Sequence, residues 1–299
     1  MSAPASWRQR GMAVIAALLV VVAASAMAVS FIERQGVLAG ILITEADRSQ
    51  ATWMLRGGLD WSRVVLRMDA EDSPTTRADG IWAQPVIGLP VGRAEDPDNA
   101  LFSGQIEDEQ SKYNLRNLAA RARIDPQAVR GLERLLESLA IDPVLAMRMA
   151  QRVAAAQFGE GVEPGAVGLR GVDDLRALPG FTPQIIETLQ PYVTVLPEAT
   201  AINVNTASAE VLGAVIDGLG LAGARALLVE RDRGVWFASR GDFLNRAGQL
   251  KPEVLERIEV GSHWFRVTGE VTVGNTMVSL QALLRRSDQG VSSVRWVTY

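Results

Sequence analysis

From Gly11 to Ile32 the chain carries no charged residue, and the apolar positions then thin out without stopping. The uncharged run is 22 residues long, about 33 Å of helix at roughly 1.5 Å per residue, enough to cross a bilayer core. It exceeds the roughly 7–15 residues of a secretory signal core. Arg8 and Arg10 precede it, which places the N-terminus in the cytoplasm and the remainder outside. The alternative is an ordinary signal peptide cut near Ala24–Ala28. Beyond the run, Val37, Ile41, Ala51, Leu55, Leu59 and Leu66 recur at helical spacing among charges, so the helix is expected to continue in amphipathic form. Gly36 and Gly40 each cost about 1 kcal/mol against alanine and should weaken or bend it, and Asp69–Pro74 ends it. The pattern predicts one helix of about 55 residues, apolar all round at first and one-sided afterwards.

The middle of the chain has helical periodicity and helix start signals. Asp125-Pro126 and Asp142-Pro143 each place a capping side chain before a proline suited to the first helical turn. Leu-Pro-Gly at 178–180 separates two short apolar helices, and Asn205 or Thr206 is placed to cap the helix containing Glu210 and Leu212. The tail alternates instead: Phe265, Val267, Val271, Val273, Val278, Leu280, Val294 and Trp296 share a two-residue period. Gly274-Asn275 predicts a hairpin turn and Asp288–Gly290 a second one. A long helix, a little β, about 150 residues of helix and then more β indicate an α+β fold in which a helical domain interrupts a small antiparallel sheet.

Composition narrows the chemistry. The net charge of the 299 residues is −4, which does not attract nucleic acid or an anionic surface. There is no cysteine and a single histidine, His263, beside Trp264 at a predicted domain junction, where a structural role is expected. No catalytic constellation and no nucleotide-binding glycine spacing is present, so the protein is not expected to be an enzyme. Two acidic clusters, Glu95, Asp96, Asp98 and Asn99, then Glu107, Asp108 and Glu109, are oxygen-rich enough to suggest calcium, although the EF-hand pattern is absent and a solvated face is the simpler expectation.

A short basic leader ending in glycine, followed by an apolar run that opens a long helix, resembles a type IV prepilin (class III) signal. The resemblance implies cleavage by a prepilin peptidase between Gly11 and Met12, and N-methylation of Met12. Ordinary pilins carry glutamate at the fifth mature position, which here is Ala16. Lack of that glutamate is characteristic of general secretion pathway protein K, the large minor pseudopilin of type II secretion. The stretch around Ile106, Asp108, Tyr113, Asn114, Leu115 and Leu118 resembles the segment that opens this family's extra domain, with Tyr113 and Arg116 in place of the usual phenylalanine and asparagine. Physically, Asp108 is placed to accept backbone N–H bonds in a turn and Asn114 to cap the next helix.

The resemblance runs from Arg10 to Trp296 and implies a pilin-like fold with a large all-helical insert containing helix-hairpin-helix/SAM-like elements. The implied segments are a leader at 1–11, a transmembrane and assembly helix at 12–68, a first β part at 69–110, the insert at 111–262 and closing strands at 263–299. It further implies a single-pass protein of the bacterial inner membrane with its body in the periplasm, at the pseudopilus tip. Its partners would be I- and J-type minor pseudopilins, the inner-membrane secretion platform, the prepilin peptidase and secreted substrates. Several pseudopilins of this system bind calcium. A carboxylate in an apolar helix bundle needs a cationic partner, supplied in a pilus by the N-terminus of the neighbouring subunit. A tip subunit has no neighbour above it and does not need that carboxylate, so Ala16 fits that position.

The turns LPGF and LGLA, with INVNTASAEVL, also resemble helix-hairpin-helix DNA-uptake proteins, which hold phosphates through hairpin N–H groups. From Gly171 to Gly261, however, eight Lys/Arg face twelve Asp/Glu, whereas a phosphate-binding module should be basic. Mass spectrometry of the protein matured beside a prepilin peptidase should find N-methyl-Met12, and Gly11→Ala should block processing. An intact N-terminus, or a cut near Ala28, would overturn the prepilin expectation.

Overall fold

The computed structural model describes residues 6–92, 100–161, 163–248, 250–287 and 292–298. One unbroken helix, α1 (Ser6–Asp72), spans 67 residues. It passes through Gly36 and Gly40 without interruption, because the surrounding residues are strong helix formers and nothing crowds those two positions. Ser73 N bonds back to Asp69 O at 3.0 Å, and Pro74 lets the helix go no further.

The last third of α1 lies on a five-stranded sheet: β1 (Val86–Val91), β2 (Ala100–Asp108), β3 (Trp264–Val273), β4 (Thr276–Arg286) and β5 (Ser292–Thr298). Neighbours in space follow that order and every pair is antiparallel. The predicted hairpin turn at Gly274-Asn275 joins β3 to β4, with Gly274 in the left-handed region at φ 53°. Asp288–Gly290 lies outside the described residues.

Ala51, Leu55, Leu59 and Leu66 form the buried stripe of α1 and meet Phe265, Val267, Val271, Leu280, Ala282 and Leu284 of the sheet. Two glycines set how close helix and sheet come. A Cβ on Gly269 of β3 would sit 3.0 Å from Leu55 Cδ2, and one on Gly58 of α1 would sit 2.7 Å from the Phe102 ring. Val37 and Ile41 do not join this stripe and are 65% and 54% exposed. The sheet reaches only as far down the helix as Asp47, which lies beside the Gly274 turn, so nothing is there to cover them.

Residues 109–263 lie between β2 and β3, although those strands are hydrogen-bonded neighbours. This segment carries α2 (Pro126–Ser138), α3 (Val144–Ala155), α4 (Pro183–Leu189), α5 (Ala209–Val215), α6 (Gly220–Arg231) and α7 (Arg240–Ala247) around a core of its own. Asp125 caps α2 by accepting from Gln127 N and Ala128 N, and Asp142 accepts from Val144 N at the start of α3. The cap of α5 is Ser208, which accepts from Val211 N, not Asn205 or Thr206. Those two side chains are taken up by tertiary bonds instead.

The insert is also not wholly helical. Tyr113–Asn114 pairs with Val193–Thr194, Ala119–Ala120 with Arg123–Ile124, and Ile202–Asn203 with Ile258–Glu259. The first pair and Ile202–Asn203 are buried between packed helices, and their N–H and C=O groups need partners. Leu55→Ala would leave a void between helix and sheet and should lower stability by about 2–5 kcal/mol. A denaturant midpoint unchanged in that variant would show that α1 is not held to the sheet at this point.

Candidate functional site

The described residues contain one helix long and apolar enough to cross a membrane, and none of its most apolar stretch is buried against the rest of the chain. Met12 and every residue from Val14 to Ile32 are exposed, Ala16 among them. The backbone runs helically through Gly11 and Met12, so the predicted processing position sits at the foot of the same helix that the sheet grips at its top.

At that top, α1, the sheet and the insert meet in a buried polar network. Asp108 ends β2 and accepts four bonds: from Gln110 N at 2.8 Å, Ser262 Oγ at 2.6 Å, Thr206 Oγ1 at 2.5 Å and Asn203 Nδ2 at 3.1 Å. Burial pushes its carboxyl above the usual range, and the four donors pull it back only in part. Asn203 also donates to Thr76 O at 3.0 Å, just past the end of α1. Arg286, the last residue of β4, donates to Leu66 O at 3.2 Å, Asp69 Oδ2 at 2.8 Å and Ser262 O at 2.8 Å, and stacks on Phe265. One guanidinium therefore bonds the helix end and the returning insert together.

A second cluster lies on the other face of the sheet. Glu109 is fully buried and takes a two-pronged bond from Arg266, with Nε at 3.0 Å and Nη2 at 2.9 Å. Lys112 Nζ lies 2.9 Å from it, and Thr194 donates to it from the insert. Burial alone would raise its carboxyl, but Arg266, the Lys112 charge and the Thr194 hydroxyl outweigh that and hold it at about 2.

All six residues of the predicted opening segment are buried: Ile106, Asp108, Tyr113, Asn114, Leu115 and Leu118. Asn114 Oδ1 caps the short 3-10 helix Leu115–Leu118 by accepting from Arg116 N at 3.0 Å. His263 bonds Gln110 through its backbone N and Arg286 O through its ring. Of the acidic calcium candidates, Glu95, Asp96 and Asp98 lie outside the described residues. Glu107 and Asp108 are successive strand residues pointing to opposite faces, so they cannot share an ion. Glu107 pairs with Lys112 at 2.9 Å, and Asp108 accepts from four donors, two of them N–H groups that have no lone pair for a cation. Among the described residues no group of three or more His, Asp or Glu is placed to hold a metal ion.

Arg286, Asp69, Thr76, Asn203 and Ser262 were not singled out by sequence reasoning. INVN carries a hint, since two asparagines flanking a valine are unusual in a stretch whose neighbours are all buried. Glu109→Gln would leave Arg266 and Lys112 without their shared counter-charge and should cost about 3 kcal/mol at neutral pH. Because the folded carboxyl is held below its ordinary 4.5, its contribution is complete above that pH and fades as pH falls toward about 2. Acid titration of unfolding stability should therefore show a steeper loss over that window in the parent than in Glu109→Gln; equal slopes would contradict the assignment.

Two family models match the insert, both of the type II secretion system protein K: one covers residues 111–198 and the other residues 202–259. Over nearly its whole length the chain is similar to the type II secretion system protein K of Klebsiella pneumoniae, at 28% identity over 98% of each protein. It is similar to that of Pseudomonas aeruginosa at 27% identity, over 94% of this chain and 90% of that protein. The fold resembles a chain in the crystal structure of the GspK-GspI-GspJ complex from enterotoxigenic Escherichia coli. The TM-score is 0.67 at 19% identity, over 85% of this chain and 97% of that one. None of these matches supports the DNA-receptor alternative. Two models of that family thus cover the insert that interrupts the sheet, and relatives bearing its name span nearly the whole chain: type II secretion system protein K is what this chain is similar to, in the insert and over its full length.

Proposed function

We propose that this chain is a minor pseudopilin of a type II secretion system that caps the periplasmic pseudopilus. It starts assembly together with I- and J-type minor pseudopilins. Its α1 anchors it in the bacterial inner membrane, and its body faces the periplasm. A prepilin peptidase removes residues 1–11 and Met12 becomes the methylated N-terminus. The role is assembly and contact with the inner-membrane secretion platform and secreted substrates, without catalysis. The tight turns LPGF and LGLA give the insert its helix-hairpin-helix/SAM-like character, here used as scaffold.

One observation carries the tip position. The hairpin turn at Gly274 lies beside Asp47, toward the membrane, whereas Arg286, Ser262 and Asp108 gather around Leu66 and Asp69 at the far end of α1. The insert therefore leaves and rejoins the sheet at the end away from the membrane. A subunit stacking directly above would meet that mass instead of an open helix end. The match to both family models and the likeness to a chain of the GspK-GspI-GspJ complex support the same reading. In a strain lacking the chain, type II substrates should accumulate in the periplasm, and the full-length protein should restore their release. The tagged full-length protein should also recover I- and J-type subunits from detergent extracts. Normal secretion without the chain would overturn the proposal.

A further inference from the structure

One region of the insert collects arginines without carboxylates. From Tyr113 to Ile124 the chain has Arg116, Arg121 and Arg123 and no Asp or Glu; from Pro143 to Gly159 it has Arg148 and Arg152 and again none. The two stretches meet, because α3 packs on both the 3-10 helix Leu115–Leu118 and the hairpin of Ala119–Ala120 with Arg123–Ile124. Other arginines of the insert are matched: Arg134, Arg176, Arg225 and Arg246 each have a carboxylate at 2.6–3.4 Å. In this region Arg123 alone meets one among the described residues, Glu160 at 3.8 Å, with the two side chains 83% and 94% exposed. A pair so open to water holds little. Nη1 of Arg152 is enclosed and has no acceptor among the described residues.

The hairpin is held in a strained shape. Its turn residues, Arg121 and Ala122, have φ of 52° and 63°. A two-residue turn of this hand ordinarily carries Asn-Gly, because a Cβ is costly there. Such backbone persists where its neighbours over-determine it. The neighbour here is the buried Gln157, just past α3. Its Nε2 donates to Ala119 O at 2.9 Å and its Oε1 accepts from Ala122 N at 3.4 Å. Gly159 closes over the turn so tightly that a Cβ on it would sit 2.8 Å from Arg121 O. Phe158, between the two, is thereby fixed beside the turn with its ring in solvent. The outcome is a rigid ledge that presents an aromatic ring and guanidinium groups lacking counter-charges.

Guanidinium groups take carboxylate or phosphate in two-pronged bonds. Phosphate on the chain's own membrane is out of reach, because the insert joins α1 at Leu66 and Asp69, about 50–55 Å of helix above Ile32. A nucleic acid needs a continuous basic track, and the acidic stretch from Gly171 to Gly261 interrupts it. Carboxylates on a protein surface fit, with Phe158 as an apolar anchor.

We infer that Arg116, Arg121, Arg123 and Phe158 form a docking ledge for a protein partner that presents clustered Asp or Glu side chains beside an apolar pocket. It rests on the proposed contact with secreted substrates and gives that contact its chemistry.

The full-length protein in detergent is titrated with a fluorescein-labelled peptide of Glu-Glu-Leu repeats, read by anisotropy. Binding should saturate, and should weaken about tenfold in Arg121→Gln/Arg123→Gln and about fivefold in Phe158→Ala. Arg225→Gln/Arg240→Gln removes the same charge from arginines that have partners, and should change binding by no more than about twofold. Thermal unfolding of the ledge variants should match the parent, since the three side chains are exposed. In cells lacking the chain, Arg121→Gln/Arg123→Gln should recover I- and J-type subunits normally yet release about tenfold less of a type II substrate. Equal weakening by the two double variants would overturn the ledge while leaving the assembly role standing. So would tighter binding of a DNA duplex or of phosphatidylglycerol vesicles than of the peptide, or normal substrate release by the ledge variant. Failure of the unmodified protein to restore release would remove the proposed function itself, and the ledge with it.

Discussion

The architecture depends on a single buried guanidinium and the carboxylate network next to it. Arg286 holds Leu66 O and Asp69 at the end of α1, and Ser262 O where the insert returns. Ser262 and Asn203 pass the connection to Asp108 at the end of β2. Two bodies with separate apolar cores, the helix with its sheet and the insert, are thereby fixed to one another by directional bonds. The sheet and helix have one core and the insert another, and apolar contact alone would let one slide over the other. Charged donors and acceptors with every partner in place do not permit that.

Neighbouring carboxyls in this junction respond to burial in opposite ways. Asp108 faces neutral donors only and its carboxyl is raised; Glu109, one residue on and on the opposite face, faces two cations and is lowered. The chain leaves β2 between them: Asp108 is the last strand residue and Glu109 the first of a 3-10 turn. A run of three acidic residues that looks like one feature in the sequence is thus divided between two sites with different partners.

The elements legible in the sequence are those written in local chemistry. The charge-free run and the four- and seven-residue steps from Ala51 to Leu66 describe α1, Gly274-Asn275 marks the β3–β4 hairpin, and Asp125-Pro126 starts α2. Val37 and Ile41 look like members of the buried stripe, because periodicity records which residues are apolar and not how far the sheet extends. Asn205 and Thr206 look like caps, because a capping side chain and a tertiary hydrogen-bonding side chain are the same residue types. Arg286 could not be found from sequence: it follows Arg285 in a strand, and only the fold decides that one is exposed and the other is surrounded by four acceptors.

The closeness of the insert's two ends changes the entropy of closing the sheet. Gln110 Oε1 accepts from His263 N at 2.6 Å, so chain entry and exit stand side by side. If β2 and β3 had to find each other across a flexible loop of residues 109–263, closure would cost about 3 kcal/mol more than a tight turn of a few residues. A folded insert with adjoining ends removes most of that difference and presents the two strands almost as a hairpin would. The largest part of the protein is then, to the sheet that carries it, no longer than a turn.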